Sequence, residues 1–152
     1  MSATHVLTMN GRISGELKDT HGPQDEEIRR RVRLLDGVDR YSLSLWAVPP
    51  GMPFDRLDLR NWPKEYIQCA GSAERMTVEI RRLIDGVGHQ YVLGHPVTAS
   101  AEPPEETIAW DGVQTTVRSN EIFNASEAAD LFIHYFRTSD SPDSYGRREL
   151  AL

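Results

Sequence analysis

Residues 41–47 read YSLSLWA, with tyrosine, leucine, leucine and alanine at the odd positions and serine, serine and tryptophan at the even ones. This period of two predicts a half-buried strand. The chain downstream predicts three more strands, at residues 66–70, 76–83 and 90–93, with turn signals at Gly71-Ser72 and Asp85-Gly86 between them. Because short turns join consecutive strands, we expect these four strands to form an antiparallel meander.

Asn-Gly and Asp-Gly dipeptides predict a hairpin on each side of this meander. Asn10-Gly11 follows an alternating segment at residues 6–9, and Asp111-Gly112 separates the apolar-alternating residues 108–110 and 113–117. Both central positions of a type I′ turn need a positive φ, which these residue types tolerate. The loop at residues 48–63 carries leucines and aromatic residues, and we expect it to pack against the domain because it is too apolar to remain free in water.

Two helices are predicted at the ends of the sheet. The first begins in the turn after Pro23, carries acidic residues at its start and arginines toward its end, and is expected to close at Gly37. The second covers residues 124–136, with Asn124 as N-cap and Glu127 three residues later. Strands in succession with helices at the ends imply an α+β fold, an antiparallel meander sheet with an N-terminal and a C-terminal helix packed on one face.

Composition limits the class of protein. The chain has 152 residues, 17 Lys and Arg against 23 Asp and Glu, and a formal net charge of −6. This length supports a single domain over residues 1–152 with its own core, and we expect the tail at residues 143–152 to be an edge strand or disordered. The apolar content excludes a disordered chain, the lack of a long apolar run disfavours a membrane span, and a pI of about 5.3 disfavours nucleic acid as a partner.

The N-terminus carries no signal-peptide pattern, and the single cysteine, Cys69, forms no internal disulfide. We therefore expect a cytoplasmic protein, with Cys69 buried in a strand as a small apolar residue. No histidine pair has metal-ligand spacing, and Gly86-Val87-Gly88 joins two strands as a hairpin turn. We predict no catalytic residue, metal or cofactor and no enzymatic activity, with one alternative left open, a small enzyme that uses His89, His95 or His134 with nearby carboxylates.

An acidic stretch is the strongest candidate for a binding surface. Glu102, Glu105, Glu106 and Asp111 occur with no Lys or Arg between them, and Trp110 lies among them. A solvated loop explains such a stretch equally well. The functional interpretation is a patch that steers a basic protein partner, with Trp110 or Trp62 as its aromatic anchor.

The C-terminal third carries a family resemblance. It reads NEIFNASEAADLF at residues 120–132, followed by Tyr135, Pro142, Tyr145 and REL at residues 148–150, and residues 68–79 upstream read QCAGSAERMTVE. In these segments the chain resembles small actinobacterial immunity proteins of polymorphic-toxin systems, in particular immunity-protein family one, although Tyr145 stands where that family commonly has a tryptophan. The resemblance implies an antitoxin that occludes the active site of a cognate toxin with a basic catalytic domain, a deaminase or another nucleic-acid-modifying toxin. The alternative is an acidic cytoplasmic chaperone or adaptor for a secreted effector.

Overall fold

The computed structural model describes residues 4–18, 22–60, 62–97 and 102–151. Within these ranges the chain forms two helices and nine strands. In chain order they are β1 (His5–Met9), β2 (Ile13–Glu16), α1 (Gln24–Arg33), β3 (Ser42–Ala47), β4 (Tyr66–Gly71), β5 (Met76–Ile84), β6 (Val87–Gly94), β7 (Glu105–Trp110), β8 (Val113–Arg118), α2 (Ala125–Thr138) and β9 (Gly146–Glu149). None of the helices in the described ranges is long and apolar enough to cross a membrane.

The strands form one large antiparallel sheet and one separate hairpin. The sheet has the order β2-β1-β3-β4-β5-β6-β9, and β7 pairs only with β8. Its centre is the predicted meander, because β3, β4, β5 and β6 are neighbours in chain order and in space. The predicted hairpin turn at Asn10 and Gly11 is present, with φ of 57° and 67° at the two residues. The α+β fold class is confirmed.

Both helices pack on the same face of the sheet, and the main core lies between the two layers. Ile28 and Val32 of α1 are fully buried, as the spacing of apolar residues predicts. The longer α2 begins at its predicted cap, where Asn124 Oδ1 accepts the Glu127 N–H at 2.9 Å. Its buried residues contact the strand residues that point to the same side, among them Leu7, Leu43, Leu45, Ile67, Val78, Ile80 and Leu93.

The end of α1 differs from the prediction. The helix runs from Gln24, directly after Pro23, to Arg33, so Gly37 does not close it. Gly37, with φ of 81°, instead belongs to a loop that Asp36 organises. Asp36 Oδ1 accepts hydrogen bonds from the backbone N–H groups of Val38, Asp39 and Arg40. These hydrogen bonds lower the pKa of Asp36. The helix ends without a glycine cap, because the Leu34 and Leu35 N–H groups donate to the Arg31 and Val32 carbonyls. The Asp36 carboxylate holds the loop that follows.

The described part of the loop, residues 48–60 and 62–63, packs against the face of the sheet that the helices leave free. Its Leu57, with Phe54 and Trp62, contacts the buried Val6 and Trp46. Burial of these side chains explains why an irregular segment carries so many large apolar residues. The expectation that this loop does not hang free in water is confirmed.

The C-terminal tail contributes β9, which pairs with β6 at the edge of the sheet. A buried ion pair fixes this strand. Glu121 is 3% exposed, and Arg148 of β9 donates to its two carboxylate oxygens from Nε at 2.9 Å and Nη2 at 2.8 Å. The same carboxylate accepts the Arg118 N–H at the end of β8, so one acidic side chain joins β8 to β9.

His5 makes folding stability depend on pH. The side chain is buried against Phe136, with the two ring centroids 4.7 Å apart, and its Nε2 has no hydrogen-bond partner among the described residues. Burial lowers the pKa of His5 from its ordinary value of 6.5. The neutral ring is therefore favoured in the folded protein, and the unfolded chain binds more protons below pH 6.5.

We expect the contribution of neutral His5 to the free energy of unfolding to be fully present above pH 6.5. This contribution should be lost as the pH decreases from 6.5 through the lowered pKa of His5. The measurement is urea unfolding of wild type and His5→Leu between pH 7.5 and pH 5, followed by circular dichroism. The variant should lose less stability over this range than wild type, whereas a His134→Gln control should follow wild type. Parallel pH profiles for wild type and His5→Leu would contradict the assignment.

Candidate interface on the acidic hairpin

The β7–β8 hairpin presents one face to the domain and one to solvent. Its turn has the predicted geometry, with positive φ at Asp111 and Gly112. Ile108 and Val117 are buried on the inner face. The outer face carries the exposed side chains of Glu105, Thr107, Ala109, Gln114 and Thr116.

Three contacts hold the hairpin on the domain although it shares no strand pairing with the main sheet. Asp111 N–H donates to the Gly37 carbonyl at 2.8 Å. Arg75 Nη2 donates to the Thr107 carbonyl at 3.2 Å. Trp110 packs on Tyr41 with ring centroids 5.8 Å apart, and its Nε1 donates to Thr115 Oγ1 at 2.8 Å. The hairpin is therefore a fixed platform, positioned by side chains from distant parts of the chain.

Trp110 is part of the contact between the hairpin and the domain. Its ring is half-buried against Tyr41 and its N–H is already used, so its role as an aromatic anchor for a partner stays a prediction that concerns the exposed part of the ring. The indole stabilises the hairpin on the domain. The sequence pattern alone could not separate these roles, because Tyr41 lies far from Trp110 along the chain.

The acidic residues divide into paired and unpaired groups. Glu106 meets Arg75 and Glu102 meets Arg118, each with an N–O distance of 3.4 Å. Glu105 and Asp111 make no ion pair with any residue in the described part of the chain. Exposed pairs of this kind contribute about 0–1 kcal/mol each. The ion pairs matter more for the charge of the surface than for stability, because they partly neutralise Glu102 and Glu106, two of the four predicted acidic residues.

Two exposed apolar side chains lie beside the tip of the hairpin, and the sequence analysis did not single them out. Val113, 49% exposed, follows the turn, and Val38, 69% exposed, follows Gly37. Because the Gly37 carbonyl binds the Asp111 N–H, Val38 is held next to the turn. The tip therefore combines an unpaired carboxylate with apolar surface.

Trp62 does not belong to this surface. It precedes β4 and packs with Trp46 and Leu57, while Lys64 Nζ lies 5.2 Å from the centroid of its ring. The hairpin contacts the other end of β4, at Gly71. Six residues of strand place these ends about 17 Å apart. The two predicted anchors thus lie in separate regions.

The histidines do not converge. His89 Nδ1 lies 3.1 Å from Glu149, and His95 Nε2 lies 2.6 Å from Glu127. The two rings are at opposite ends of β6, and His134 is in α2. Among the described residues, no group of three or more His, Cys, Asp or Glu side chains could hold a metal ion. His21 and residues 98–101 of the predicted acidic loop lie outside the described residues.

Cys69 is buried in β4, as predicted. Burial raises the pKa of its thiol to about 12, so the thiolate is negligible at neutral pH. The side chain is part of the core between sheet and helices.

The sequence analysis missed a hydrogen-bonded polar cluster on the sheet. On the face opposite the helices, Tyr66 donates to Gln90 Oε1 at 3.2 Å, and Gln90 Nε2 donates to Glu79 Oε1 at 2.8 Å. Burial raises the pKa of Glu79, and the hydrogen bond from Gln90 opposes that shift. The alternation of polar residues in β4 and β5 was the available signal, but it is also typical of a solvated sheet face.

Comparisons of the chain with models of protein families, with curated proteins and with solved structures returned no match.

Proposed function

We propose that this protein is a cytoplasmic immunity protein that binds a basic toxin domain through the β7–β8 hairpin and occludes its active site. The observation that carries the proposal is two exposed carboxylates on the hairpin, Glu105 at its open end and Asp111 at its tip, neither of which has an ion-pair partner in the described structure. The resemblance to immunity proteins supports the same conclusion independently of the geometry.

The charge of the segment favours a basic partner. Residues 102–118 contain four acidic residues and one arginine, a formal charge of −3. Acidic groups on a fixed surface raise the rate of encounter with a positive cleft and exclude acidic competitors. The contacts of Trp110, Arg75 and Asp111 with the domain reduce the ordering that binding would otherwise require.

Affinity in such a complex comes from a few apolar contacts inside the charged rim. Val38 and Val113 supply them here, since both are exposed next to the unpaired Asp111. We therefore propose that Val38 and Val113 make the central apolar contacts with the partner, in place of the contacts predicted for Trp62 and Trp110.

The experiment begins with capture of the partner by the tagged protein from the producing cells, at low and at high salt, and mass identification of bound proteins. The proposal expects one stoichiometric partner with a basic catalytic domain. The isolated domain should arrest growth of a test bacterium, and co-expression of the wild-type protein should restore growth.

The deciding variant is Glu105→Lys/Asp111→Asn, because asparagine tolerates the positive φ of the turn. We expect a roughly tenfold slower association with the captured domain at low salt, and a difference that shrinks as salt screens the charges. The matched control is Glu16→Lys/Asp85→Asn, which makes the same changes on β2 and on the Asp-Gly turn between β5 and β6.

Equal association rates for wild type and Glu105→Lys/Asp111→Asn would exclude the hairpin as the interface. Capture of several exported proteins by their termini, with no binding to a folded catalytic domain, would replace the immunity function with that of a secretion chaperone.

A further inference from the structure

A cleft of about 230 Å³ opens on the face of the sheet opposite the helices. Leu59, Trp62 and Pro63 form one wall, and strands β1 to β4 form the floor. The cleft lies at the other end of β4 from the acidic hairpin and has no part in the function proposed above.

Four polar side chains cross the floor in one row. The strand register aligns Ser14 with Thr8, Thr8 with Ser44, and Ser44 with Gln68. Neighbouring strands are about 4.8 Å apart, so the row presents a polar group at each strand across the width of the cleft. Hydroxyl and amide side chains both donate and accept hydrogen bonds.

Part of this row has no partner within the protein. Thr8 Oγ1 is used, since it pairs with Ser14 Oγ at 2.8 Å and accepts Trp46 Nε1–H at 3.1 Å. The side chains of Ser44 and Gln68 are half-buried and make no hydrogen bond to any described residue, and the same is true of Trp62 Nε1. The cleft therefore holds donors and acceptors that a ligand can satisfy.

The charges around the cleft do not select an ion. Among the described lining residues there is no carboxylate, and the single cation is Arg12 at the exposed rim. Glu79, opposite Gln68 on the next strand, accepts a hydrogen bond from Gln90. A neutral ligand with hydroxyl groups fits this environment better than an acid or an amine.

The walls add apolar surface to the polar floor. Trp62, Leu59 and Pro63 lie on the loop side, and Tyr66 lies at the start of β4. A sugar ring has apolar C–H faces and a rim of hydroxyl groups that donate and accept, so it matches a cleft with aromatic walls and a hydroxyl and amide floor. We propose that this cleft binds a neutral sugar ring, either a free monosaccharide or one unit of an oligosaccharide.

The three tryptophans provide the test, because each indole N–H gives its own signal in a ¹⁵N-labelled protein. Trp46 and Trp62 line the cleft, whereas Trp110 donates to Thr115 on the distant hairpin. The probes are a panel of neutral methyl glycosides, including glucoside, galactoside, N-acetylglucosaminide and riboside, with sodium acetate as the ion control. We expect a saturable shift of the Trp62 signal with at least one glycoside, and an unchanged Trp110 signal.

The double variant Ser44→Ala/Gln68→Ala removes the unpartnered groups of the floor and should weaken glycoside binding at least tenfold. Its matched control is Gln114→Ala/Thr116→Ala, which removes one amide and one hydroxyl, together with a methyl group, from the outer face of β8 and should bind like wild type. Thermal unfolding of wild type and of both double variants checks that each is folded.

The affinity for a disaccharide or trisaccharide is compared with that for the methyl glycoside of the same monosaccharide unit. Binding at least tenfold more tightly would identify the ligand as one unit of an oligosaccharide, and equal affinity would identify it as a free monosaccharide. The proposal is overturned if no glycoside of the panel shifts Trp62, if Trp110 shifts equally, if acetate produces the same shift, or if Ser44→Ala/Gln68→Ala binds like wild type. Because Ser44→Ala/Gln68→Ala lies outside the hairpin, its effect on glycoside binding is separate from the outcome of the toxin experiment.

Discussion

Replacement of Arg148 by methionine is expected to lower the free energy of unfolding by about 3–5 kcal/mol, the cost of leaving a buried charge without its partner. Arg148 binds both oxygens of the buried Glu121. Without the guanidinium, that carboxylate retains one donor, the Arg118 N–H at 2.8 Å. Arg148 also lies near Glu79 and the acidic residues of the hairpin segment, so its loss concentrates negative charge at the β8–β9 corner.

Urea unfolding with a fluorescence readout measures this effect, and two variants control it. Arg147→Met on the same strand breaks a half-exposed pair with Asp140 and a hydrogen bond to Ser141 Oγ but leaves no fully buried charge, so it should cost about 1–2 kcal/mol. The double variant Glu121→Met/Arg148→Met removes both charges and should recover most of the loss, since apolar side chains often replace a buried ion pair without penalty. If Arg148→Met and Arg147→Met unfold at the same urea concentration, the ion pair does not stabilise the corner.

Gly71→Ala is expected to cost about 3 kcal/mol or more and to displace the acidic hairpin. Gly71 ends β4 with φ of 133°, a region that residues with a Cβ avoid. A Cβ at this position would lie within 3.0 Å of the Arg75 carbonyl oxygen and the Met76 Cα, and 3.1 Å from Ile108 Cγ2 of the hairpin. The first two atoms belong to the backbone, so relief requires movement of a strand.

Gly112→Ala is the matched control, because Gly112 has φ of 73° but no atom within 4 Å of the added Cβ. It should show only backbone strain, about 1–2 kcal/mol. Thermal unfolding measures the two costs, and hydrogen exchange of the β7 and β8 amides reports on the hairpin. Equal stability of Gly71→Ala and Gly112→Ala would contradict the crowding at Gly71.

The elements that the sequence predicted correctly are those with local causes. The turns at Asn10-Gly11 and Asp111-Gly112 need two positive φ values, and the start of α2 needs an N-cap oxygen three residues before an N–H. The strand alternation at residues 41–47 likewise depends only on neighbours. The predicted end of α1 at Gly37 was wrong because the Leu34 and Leu35 N–H groups already close the helix on the Arg31 and Val32 carbonyls. The Asp36 carboxylate organises the loop that contains Gly37.

The candidate interface was less predictable because its properties arise between distant residues. Arg75 meets Glu106 across 31 positions, and Tyr41 meets Trp110 across an even longer separation. No local pattern distinguishes a free glutamate from one that a remote arginine neutralises. The row of Ser14, Thr8, Ser44 and Gln68 exists only in the strand register, so it was invisible before the sheet was known.

The separation of the β7–β8 hairpin from the main sheet has a consequence for how this chain can diversify. The five exposed side chains on its outer face share no strand pairing with the seven-stranded sheet and take no part in the core. Substitutions there fall among the surface changes that usually alter stability by no more than about 0.5 kcal/mol. Natural variation can therefore change the outer face of the β7–β8 hairpin at little cost in stability. Gly71, Trp110 and Arg75 keep the hairpin in the same position whatever side chains that face carries.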